Sequence, residues 1–409
     1  MSQIKIKNFG PIRAGFEENE AFLDIKKVTV FIGNQGSGKS SVAKLISVLT
    51  WIEKALVRGD FKEKDLTFKL FKKHCTYQNI SNYFKDDTEI SYIGKAYSIQ
   101  YSANNISVIK SKTNNYQVPK IMYVPAERNF VGAVSNVRGL KGLPSTLYTF
   151  SDEFANATEH LKDKALSLPI NEAKFEYQRL NKIAWIAGED YKVRLSEASS
   201  GFQSFVPLYL VTHYLATSIN EKQDASTKSV SIEEERRIRK EIEDILLNGH
   251  LSEEVKKAAL ELLSARFKNS CFINIVEEPE QNLFPLSQRN ILNSLLEFTN
   301  MTAGNRLILT THSPYILNYL SIAIQGDYLF EKLKSNPLSA ELKKRLNKIV
   351  PLKSVISALD VVIYQLDEKG NIKKLPSYEG IPSDRNFLNA SLAEGNNLFG
   401  SLIEIEQEL

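Results

Sequence analysis

The sequence predicts an α/β fold with a parallel sheet, because three apolar runs each end in glycine or polar residues. These runs are Val28–Ile32, Phe272–Val276 and Leu307–Thr310, and such β-branched and aliphatic stretches are typical of strands buried on both faces. The first run leads into a glycine-rich loop, the second into adjacent glutamates and the third into Thr-His. Because the carboxyl ends of parallel strands meet at one edge of a sheet, we expect these polar ends to form one site.

The other elements follow from hydrophobic periodicity and turn residues. In the first half we predict a helix from about Ser40 to Leu49, an antiparallel meander within 88–124, a further strand at 121–124 and helical structure over 150–187. In the second half we predict a strand at 191–195, a helix from Phe202 to about Ala216, an amphipathic helix between the second and third apolar runs, a hairpin of 361–366 with 372–375, and a closing helix.

Linkers and changes in composition divide the chain into five segments. These are an N-terminal half of the fold at 1–130, a helical insertion at 131–190, a strand, turn and helix at 191–217, a helical hairpin at 218–268 and a C-terminal half at 269–409. In the hairpin, a polar linker at 222–230 precedes Ser231 and Glu234, which have the spacing of a capping box. Its second helix is predicted from about Ser252 to Phe267.

Length and composition limit the possible protein classes. At about 100–200 residues per domain, a chain of 409 residues forms two or three domains, or one large domain with insertions. Its 52 basic and 48 acidic residues leave a net charge of +4, too mild to indicate a nucleic-acid partner. Cys75 and Cys271 provide neither a disulfide framework nor a zinc cluster. Without a long apolar stretch or a signal-peptide pattern, we expect a soluble cytoplasmic protein with no membrane partner.

The loop after the first strand matches the phosphate-binding pattern G-x-x-x-x-G-K-[ST] between a predicted strand and a predicted helix. Its residues are Gly33, Asn34, Gln35, Gly36, Ser37, Gly38, Lys39 and Ser40, with Ser41 next in the helix. Backbone N–H groups and the helix N-terminus attract phosphate, Lys39 reaches the β- and γ-phosphates, and the Ser40 hydroxyl ligates Mg²⁺. The pattern therefore predicts a P-loop fold that binds ATP and Mg²⁺.

Adjacent carboxylates follow the second strand, where this class of fold delivers charge to its ligand crevice. Glu277 is expected to orient Mg²⁺ through water, and Glu278 to polarise the water that attacks the γ-phosphate. The usual first residue is Asp, so Glu277 is one methylene longer than expected. His312, one strand further on, is expected to hold the attacking water at the γ-phosphate. The simpler alternatives are a solvated acidic turn and a structural histidine.

Another turn decides the subclass of the fold. Ser199-Ser200-Gly201 precedes a predicted helix and offers hydroxyls and N–H groups to an anion, although serine-rich helix caps are common. In its order between the glycine loop and the acid strand, this turn resembles the signature motif of ABC-type ATPases. The opening residues 6–11, the Glu-Glu-Pro-Glu run at 277–283 and Thr-His-Ser-Pro at 311–314 extend the resemblance to the SMC, RecF and OLD group of that family.

The resemblance covers residues 4 to about 320 and implies an ABC-type ATPase head with an antiparallel β subdomain and short helical insertions. The insertions at 54–85, 130–187 and 218–268 carry none of its motifs. Heads of that family dimerise head-to-tail around two ATP molecules. The resemblance thus implies a homodimer or a higher even-numbered assembly, in which Ser199, Ser200 and Gly201 act in trans on nucleotide held by the partner.

The same resemblance assigns the other residues to the chain's own site. It implies that the glycine loop, Glu277, Glu278 and His312 act in cis, and that residues 280–282 form the loop that meets across the dimer. Phe284 stands where many relatives have His. The family's glutamine loop has no assigned position, because residues 123–128 fit that loop and fit a structural turn equally well.

Three functions stay open at this stage. The short insertions and the lack of a nuclease resemble ATPase subunits of Septu-type and PARIS-type anti-phage systems, which implies a sensor or switch that controls a separate effector, such as a nuclease. The residues after His312 contain no Asp-x-Asp, so we expect no Toprim nuclease in this chain. A transporter motor is disfavoured by the long insertions and by the Thr-His-Ser-Pro form of the histidine segment.

The alternative to the defence role is a RecF- or SMC-like repair head that clamps DNA. Its candidate surface interleaves three phenylalanines, Phe61, Phe68 and Phe71, with basic residues, which are Lys62, Lys64, Lys69, Lys72, Lys73 and His74. The same pattern fits an amphipathic helix that buries the phenylalanines and exposes the lysines.

Overall fold

The computed structural model describes residues 2–112, 115–134, 136–220, 240–244, 246, 268–334 and 339–407. The predicted linker at 222–230, the capping box of Ser231 and Glu234 and the helix at 252–267 lie outside these residues. The strands with described bounds are β1 Ser2–Phe9, β2 Gly15–Phe16, β3 Leu23–Ile25, β4 Val28–Gly33, β5 Phe84–Ile93, β6 Tyr97–Ser102, β7 Asn105–Lys110, β8 Pro119–Val124, β9 Leu166–Ser167, β10 Lys174–Gln178, β11 Ile183–Ala187, β12 Lys192–Arg194, β13 Cys271–Glu277, β14 Arg306–Thr311, β15 Val361–Leu366, β16 Asn371–Lys374, β17 Ser377–Tyr378 and β18 Ile381–Pro382. The helices with described bounds are α1 Lys39–Arg58, α2 Phe68–Tyr77, α3 Asn129–Ala133, α4 Ser145–His160, α5 Ser200–Asn220, α6 Pro285–Asn300, α7 Pro314–Leu333, α8 Ser339–Ile349 and α9 Phe387–Gln407.

A seven-stranded sheet of order β2-β16-β15-β4-β14-β13-β8 forms the centre of the fold. Its strands β8, β13, β14, β4 and β15 are mutually parallel. All six residues of β4 and all seven of β13 are buried, as their continuous apolar sequences predict. The predicted α/β fold with a parallel sheet and a P-loop connection is therefore confirmed, and the glycine loop follows its middle strand.

Hydrophobic layers cover both faces of this sheet. Side chains of β4 alternate between them: Val28, Val30 and Ile32 pack with α4, α5, α6 and α7, whereas Phe31 packs with α1 and the N-terminal strands. Helix α1 continues past the predicted end at Leu49, because Ile52 and the residues beyond it extend its buried face. Gly59, with φ +71°, ends the helix in a left-handed cap.

A separate antiparallel sheet of order β3-β1-β5-β6-β7 packs on the α1 side. Strands β5, β6 and β7 pair consecutively, which confirms the predicted meander. The strand predicted at 121–124 is β8, and it joins the parallel sheet beside β13. The predicted hairpin near the C-terminus is β15 and β16, closed by a turn at Asp367–Gly370.

The expectation of helical structure over 150–187, and with it an all-helical insertion at 131–190, is wrong beyond His160. Strands β9, β10 and β11 occupy 166–187 and form an antiparallel sheet with β12. Turn residues with positive φ, Asp163 and Lys182 among them, stop helical propagation. The alternating sequence of β10 then turns Phe175 into the core.

The basic and aromatic segment forms an amphipathic helix on the antiparallel sheet. In α2, Phe71 is fully buried, and Phe68 and Phe71 meet Phe84 edge-on at 5.2 and 5.6 Å between ring centroids. Lys69, Lys72 and Lys73 are exposed. Phe71 is therefore part of the core and cannot stack on a base, whereas Phe61 and Phe68 are half-buried against it.

No helix in the described part of the chain is long and apolar enough to cross a membrane. This agrees with the absence of a long apolar run in the sequence.

Truncation of Phe71 tests the packing of α2. Phe71→Ala should lower the free energy of unfolding by about 3–5 kcal/mol, because the change leaves a cavity in the aromatic cluster. Lys72→Ala, one residue along the same helix, should change it by less than about 0.5 kcal/mol, because that side chain is exposed. Urea denaturation followed by circular dichroism measures both free energies. Equal effects of the two changes would contradict the assignment of Phe71 to the buried face and Lys72 to the exposed face of α2.

Candidate functional site

The carboxyl ends of β4, β13 and β14 bring the predicted polar residues to one edge of the sheet. In the parallel ladders Glu277 of β13 is level with Thr310 of β14, and Thr311 is level with Ile32 of β4. The glycine loop begins one residue after Ile32. The structure therefore places three segments beside one another, as the sequence predicts. They are the glycine loop, the acidic turn (Glu277–Glu280) and the histidine segment (Thr311–Pro314).

The glycine loop depends on backbone conformations that favour glycine. Gly33 and Gly38 have φ of +147° and +101°. A Cβ at Gly33 would lie 2.2 Å from the carbonyl oxygen of Leu366, so a side chain there would force the loop away from β15. Gly38 precedes α1 without a side-chain cap, which leaves the first N–H groups of the helix available to an anion.

Lys39 lies folded back on the loop that precedes it. Its Nζ donates hydrogen bonds to the carbonyl oxygens of Gly33 at 2.8 Å and Asn34 at 2.9 Å. Burial lowers the pKa of Lys39 from 10.5 to about 8, although the charges of the nearby glutamates, Glu278 most of all, oppose the shift. The Lys39 ammonium is therefore largely desolvated and is hydrogen-bonded to carbonyl oxygens, which a bound phosphate could replace.

Glu278 occupies a strained position immediately after β13. Its φ is +43°, which is uncommon for a residue with a side chain, and its N–H donates to the Thr310 carbonyl at 2.9 Å. Its carboxylate lies 3.5 Å from His312 Nε2. This contact with His312 is the main cause that lowers the pKa of Glu278, which keeps the carboxylate ionised at neutral pH.

Glu277 is buried and has one carboxylate oxygen without a hydrogen bond of normal length. Its Oε2 accepts a hydrogen bond from the Ala126 N–H at 3.3 Å, whereas Oε1 is buried and unbonded. The Tyr123 hydroxyl lies near this carboxylate, and burial together with the charge of Glu277 raises the pKa of Tyr123. An orphaned buried oxygen at this edge fits the predicted role beside Mg²⁺. Among the described residues no group of three or more acidic, His or Cys side chains could hold a metal ion.

The side chain of Glu280 points into its own chain and binds the histidine segment. Its Oε1 accepts hydrogen bonds from Thr311 Oγ1 at 2.8 Å and from the His312 N–H at 2.7 Å. Burial raises the pKa of Glu280. The resemblance places Glu280 in a loop that meets a partner, but its side chain supports the local site. The pair of bonds spans 31 and 32 residues, which no local sequence pattern reveals.

Arg128 is the functional-site residue that sequence reasoning missed. Its guanidinium donates to the carbonyl oxygens of Glu277 at 2.7 Å and Glu278 at 2.6 Å, and Nε donates to the Ser204 carbonyl in α5 at 3.3 Å. The segment 123–128, which fitted a glutamine loop or a structural turn, thus packs against the acidic turn. Its only sequence signal is an arginine shortly after an apolar strand.

The signature turn, Ser199-Ser200-Gly201, lies at the start of α5. Ser199 and Ser200 are exposed, and α5 begins at Ser200. A Cβ at Gly201 would lie 3.1 Å from the Asn282 carbonyl, so glycine permits close contact with the segment after the acidic turn. Among the described residues no hydrogen bond or ion pair joins this turn to Gly33–Ser41. The structure therefore brings together the residues assigned to the chain's own site and leaves the signature outward.

Comparisons with known proteins give similarity in fold at low identity. No protein-family model matches the sequence, and no curated protein matches it. The SMC head domain from Thermotoga maritima is 12% identical with a TM-score of 0.33, covering 78% of this chain and 90% of that chain. The Smc head domain with an extended coiled coil bound to the C-terminal domain of ScpA derived from Pyrococcus furiosus is 9% identical with a TM-score of 0.35, covering 92% and 96%.

A dimeric ATP-binding cassette in a post-hydrolysis state, bound to ADP and phosphate, is 12% identical with a TM-score of 0.26, covering 92% of this chain and 100% of that chain. At such TM-scores the likeness is weak. The assignment of the P-loop fold rests on this chain's own sheet order and glycine loop.

Raising the pH through about 8 should weaken binding of ATP. Lys39 has a pKa of about 8 without phosphate, and bound phosphate raises that pKa because the opposite charge favours the ammonium. Binding therefore takes up a proton above pH 8, and the dissociation constant should rise by up to about tenfold per pH unit until the bound-state pKa is reached.

Titration with a fluorescent ATP analogue across this pH range measures the effect. Lys39→Ala should bind far more weakly and show no such pH dependence. A wild-type dissociation constant that stays flat above pH 8 would contradict the placement of Lys39 at the phosphates.

Proposed function

We propose that the chain binds and hydrolyses ATP, with Mg²⁺, as an ABC-type ATPase head. One observation carries the proposal: a glycine loop with a buried lysine lies beside an ionised glutamate whose carboxylate is 3.5 Å from a histidine ring nitrogen. Such a set can hold a phosphate chain, neutralise its charge and orient a water molecule toward it. The same groups suit phosphoryl transfer to water, in which the protein supplies positioning and electrostatic stabilisation.

Each residue has one task in the proposed reaction. Backbone N–H groups of Gly33–Ser41 bind the phosphates, and the Lys39 ammonium exchanges two carbonyl oxygens for phosphate oxygens. Ser40 and Glu277 would hold Mg²⁺, which supplies charge neutralisation at the β- and γ-phosphates. Glu278 accepts a hydrogen bond from the attacking water. His312 contacts the γ-phosphate and, through its contact with Glu278, keeps that carboxylate ionised.

The second part of the proposal is that two copies complete each site. Ser199 and Ser200 are exposed, Gly201 is half-buried, and among the described residues none of the three forms a hydrogen bond or ion pair with the glycine loop of its own chain. Hydroxyls and N–H groups at the start of α5 suit a γ-phosphate presented by another molecule. In a symmetric dimer, the signature turn of each copy would face the glycine loop of the other. The dimer would then contain two identical sites, each with one glycine loop and one signature turn.

The proposed biological role is a cytoplasmic sensor or switch of a bacterial anti-phage defence complex. Its support is the resemblance of the head motifs to ATPase subunits of such systems, which is an analogy at the level of the fold. Co-expression with the product of the neighbouring gene tests this role. A stable complex that releases an effector in a nucleotide-dependent way would support it, and the absence of any complex would contradict it.

Glu278→Gln should abolish turnover and preserve ATP binding. The amide has the same shape as the carboxylate but does not attract the proton of the attacking water, so ATP-bound dimers should accumulate. We expect turnover to fall by at least about 100-fold, with a nucleotide dissociation constant within about threefold of the wild-type value. Phosphate release, ATP binding and light scattering measure the three properties.

The matched control for this change is Glu341→Gln on the exposed face of α8, which should behave as wild type. If Glu278→Gln retained near-normal phosphate release, Glu278 would not be the group that activates water.

Ser199→Arg tests completion of the site by a second copy. The bulky cation should block turnover while leaving nucleotide binding to the isolated chain intact, because no hydrogen bond or ion pair in the described part of the chain joins Ser199 to its own glycine loop. A mixture of Ser199→Arg with Lys39→Ala should regain activity, because a mixed dimer contains one site with an intact loop and an intact signature. Recovery approaches about a quarter of the wild-type rate for random pairing with independent sites.

Each variant is assayed alone and in the mixture at the same total protein concentration. A mixture as inactive as its components would show that both residues serve the same chain's site, against the proposal.

A further inference from the structure

Arg128 is the largest side chain that is completely buried in the described part of the chain. Burying a cation is costly unless it is well hydrogen-bonded. No described carboxylate lies within ion-pair distance of Arg128, and its recorded partners are all backbone carbonyl oxygens. Burial lowers the pKa of Arg128 to about 10, so the guanidinium still carries its charge at neutral pH. Arg128 therefore holds the backbone of the site in place and does not form an ion pair with one particular carboxylate.

Two of its bonds fix the acidic turn. The guanidinium donates to the carbonyl oxygens of Glu277 and Glu278 at 2.7 and 2.6 Å. These two carbonyls precede and follow the Glu278 Cα, where φ is positive. A left-handed residue with a side chain persists only where its surroundings hold it. The planar fork of arginine holds two carbonyls in one fixed mutual geometry, which the freely rotating donors of an ammonium do not impose. The direction of the Glu278 carboxylate is thus set partly by Arg128.

A third bond links the same side chain to the signature helix. Nε donates to the carbonyl of Ser204, one turn inside α5 from Ser200. The backbone after Arg128 is also seated on this helix, since a Cβ at Gly132 would lie 2.8 Å from the Gln203 carbonyl oxygen. The segment from Ala126 to Gly132 therefore contacts both α5 and the acidic turn, and a displacement of α5 would move the guanidinium.

We propose that Arg128 is a positioning residue that holds the acidic turn in register with the signature helix, so that Glu278 is aligned only while α5 is seated. This inference rests on the proposed ATPase function and adds a route by which the state of the signature turn reaches the chain's own hydrolytic carboxylate. Arg128 is completely buried, and it acts through the backbone of Glu277 and Glu278.

The test separates turnover from binding in the full-length protein. Arg128→Met should lower the single-turnover rate of bound ATP by about 10–100-fold, the usual effect of removing a group that orients a functional ligand. The ATP dissociation constant should stay within about threefold of wild type, because Arg128 does not contact the glycine loop. The single-turnover rate of Arg128→Lys should fall between those of wild type and Arg128→Met, since lysine keeps the charge but does not hold two carbonyls in one fixed plane.

The matched control is Arg58→Met. Arg58 is also buried but ends α1, where it lies 3.6 Å from Asp60. The Arg58→Met variant should have a lower free energy of unfolding but an unchanged rate of turnover per bound ATP. All rates are normalised to the fraction of protein that binds ATP, so partial unfolding does not imitate the effect; if Arg128→Met fails to fold, Arg128→Lys carries the test.

The outcomes distinguish the two proposals. If the wild-type protein does not hydrolyse ATP, the proposed function fails and takes this inference with it. If wild type hydrolyses ATP and both Arg128 variants turn over bound ATP within about threefold of it, the positioning role alone is overturned. A loss of turnover in Arg58→Met as large as in Arg128→Met would also overturn it, because the effect would then be one of general stability.

Discussion

The parallel alignment of β4, β13 and β14 is the constraint on which the site depends. It brings a glycine loop, an acidic turn and a histidine segment to one edge, although the loop lies more than two hundred residues before the other two in the sequence. Register matters, because a slip of one residue would turn Glu277 from one face of the sheet to the other. Strands β4 and β13 are buried along their whole length, so the hydrophobic core supports the ends of the strands that carry the site.

The charges at this edge are held in place more by backbone atoms than by one another. Lys39 binds two carbonyls of its own loop, Arg128 binds those of the acidic turn, and Glu280 accepts the His312 N–H. Side chains held in this way are preorganised, which lowers the cost of aligning them during a reaction. The strained φ of Glu278 and the buried cation of Arg128 oppose folding stability, and such local conflicts are expected where function sets the geometry.

Sequence patterns predicted those parts of the fold whose physics is local. The glycine loop has a fixed spacing, and the buried strands and the meander have clear periodicity. Patterns failed at 166–187, where strands of two to five residues between tight turns are too short to show a period. They also missed Arg128 and the inward role of Glu280. Arg128 bonds backbone carbonyls 149 and 150 residues away, and a carbonyl carries no sequence signature.

The central claim is that nucleotide is hydrolysed between two copies, each of which holds part of the pocket. The most direct measurement is ATP turnover per chain across a wide dilution series, with the assembly state followed by light scattering in the same samples. Association by mass action predicts that turnover per chain falls as dimers dissociate, in step with the loss of dimer. Turnover per chain that stays constant after the protein has become monomeric would contradict the claim.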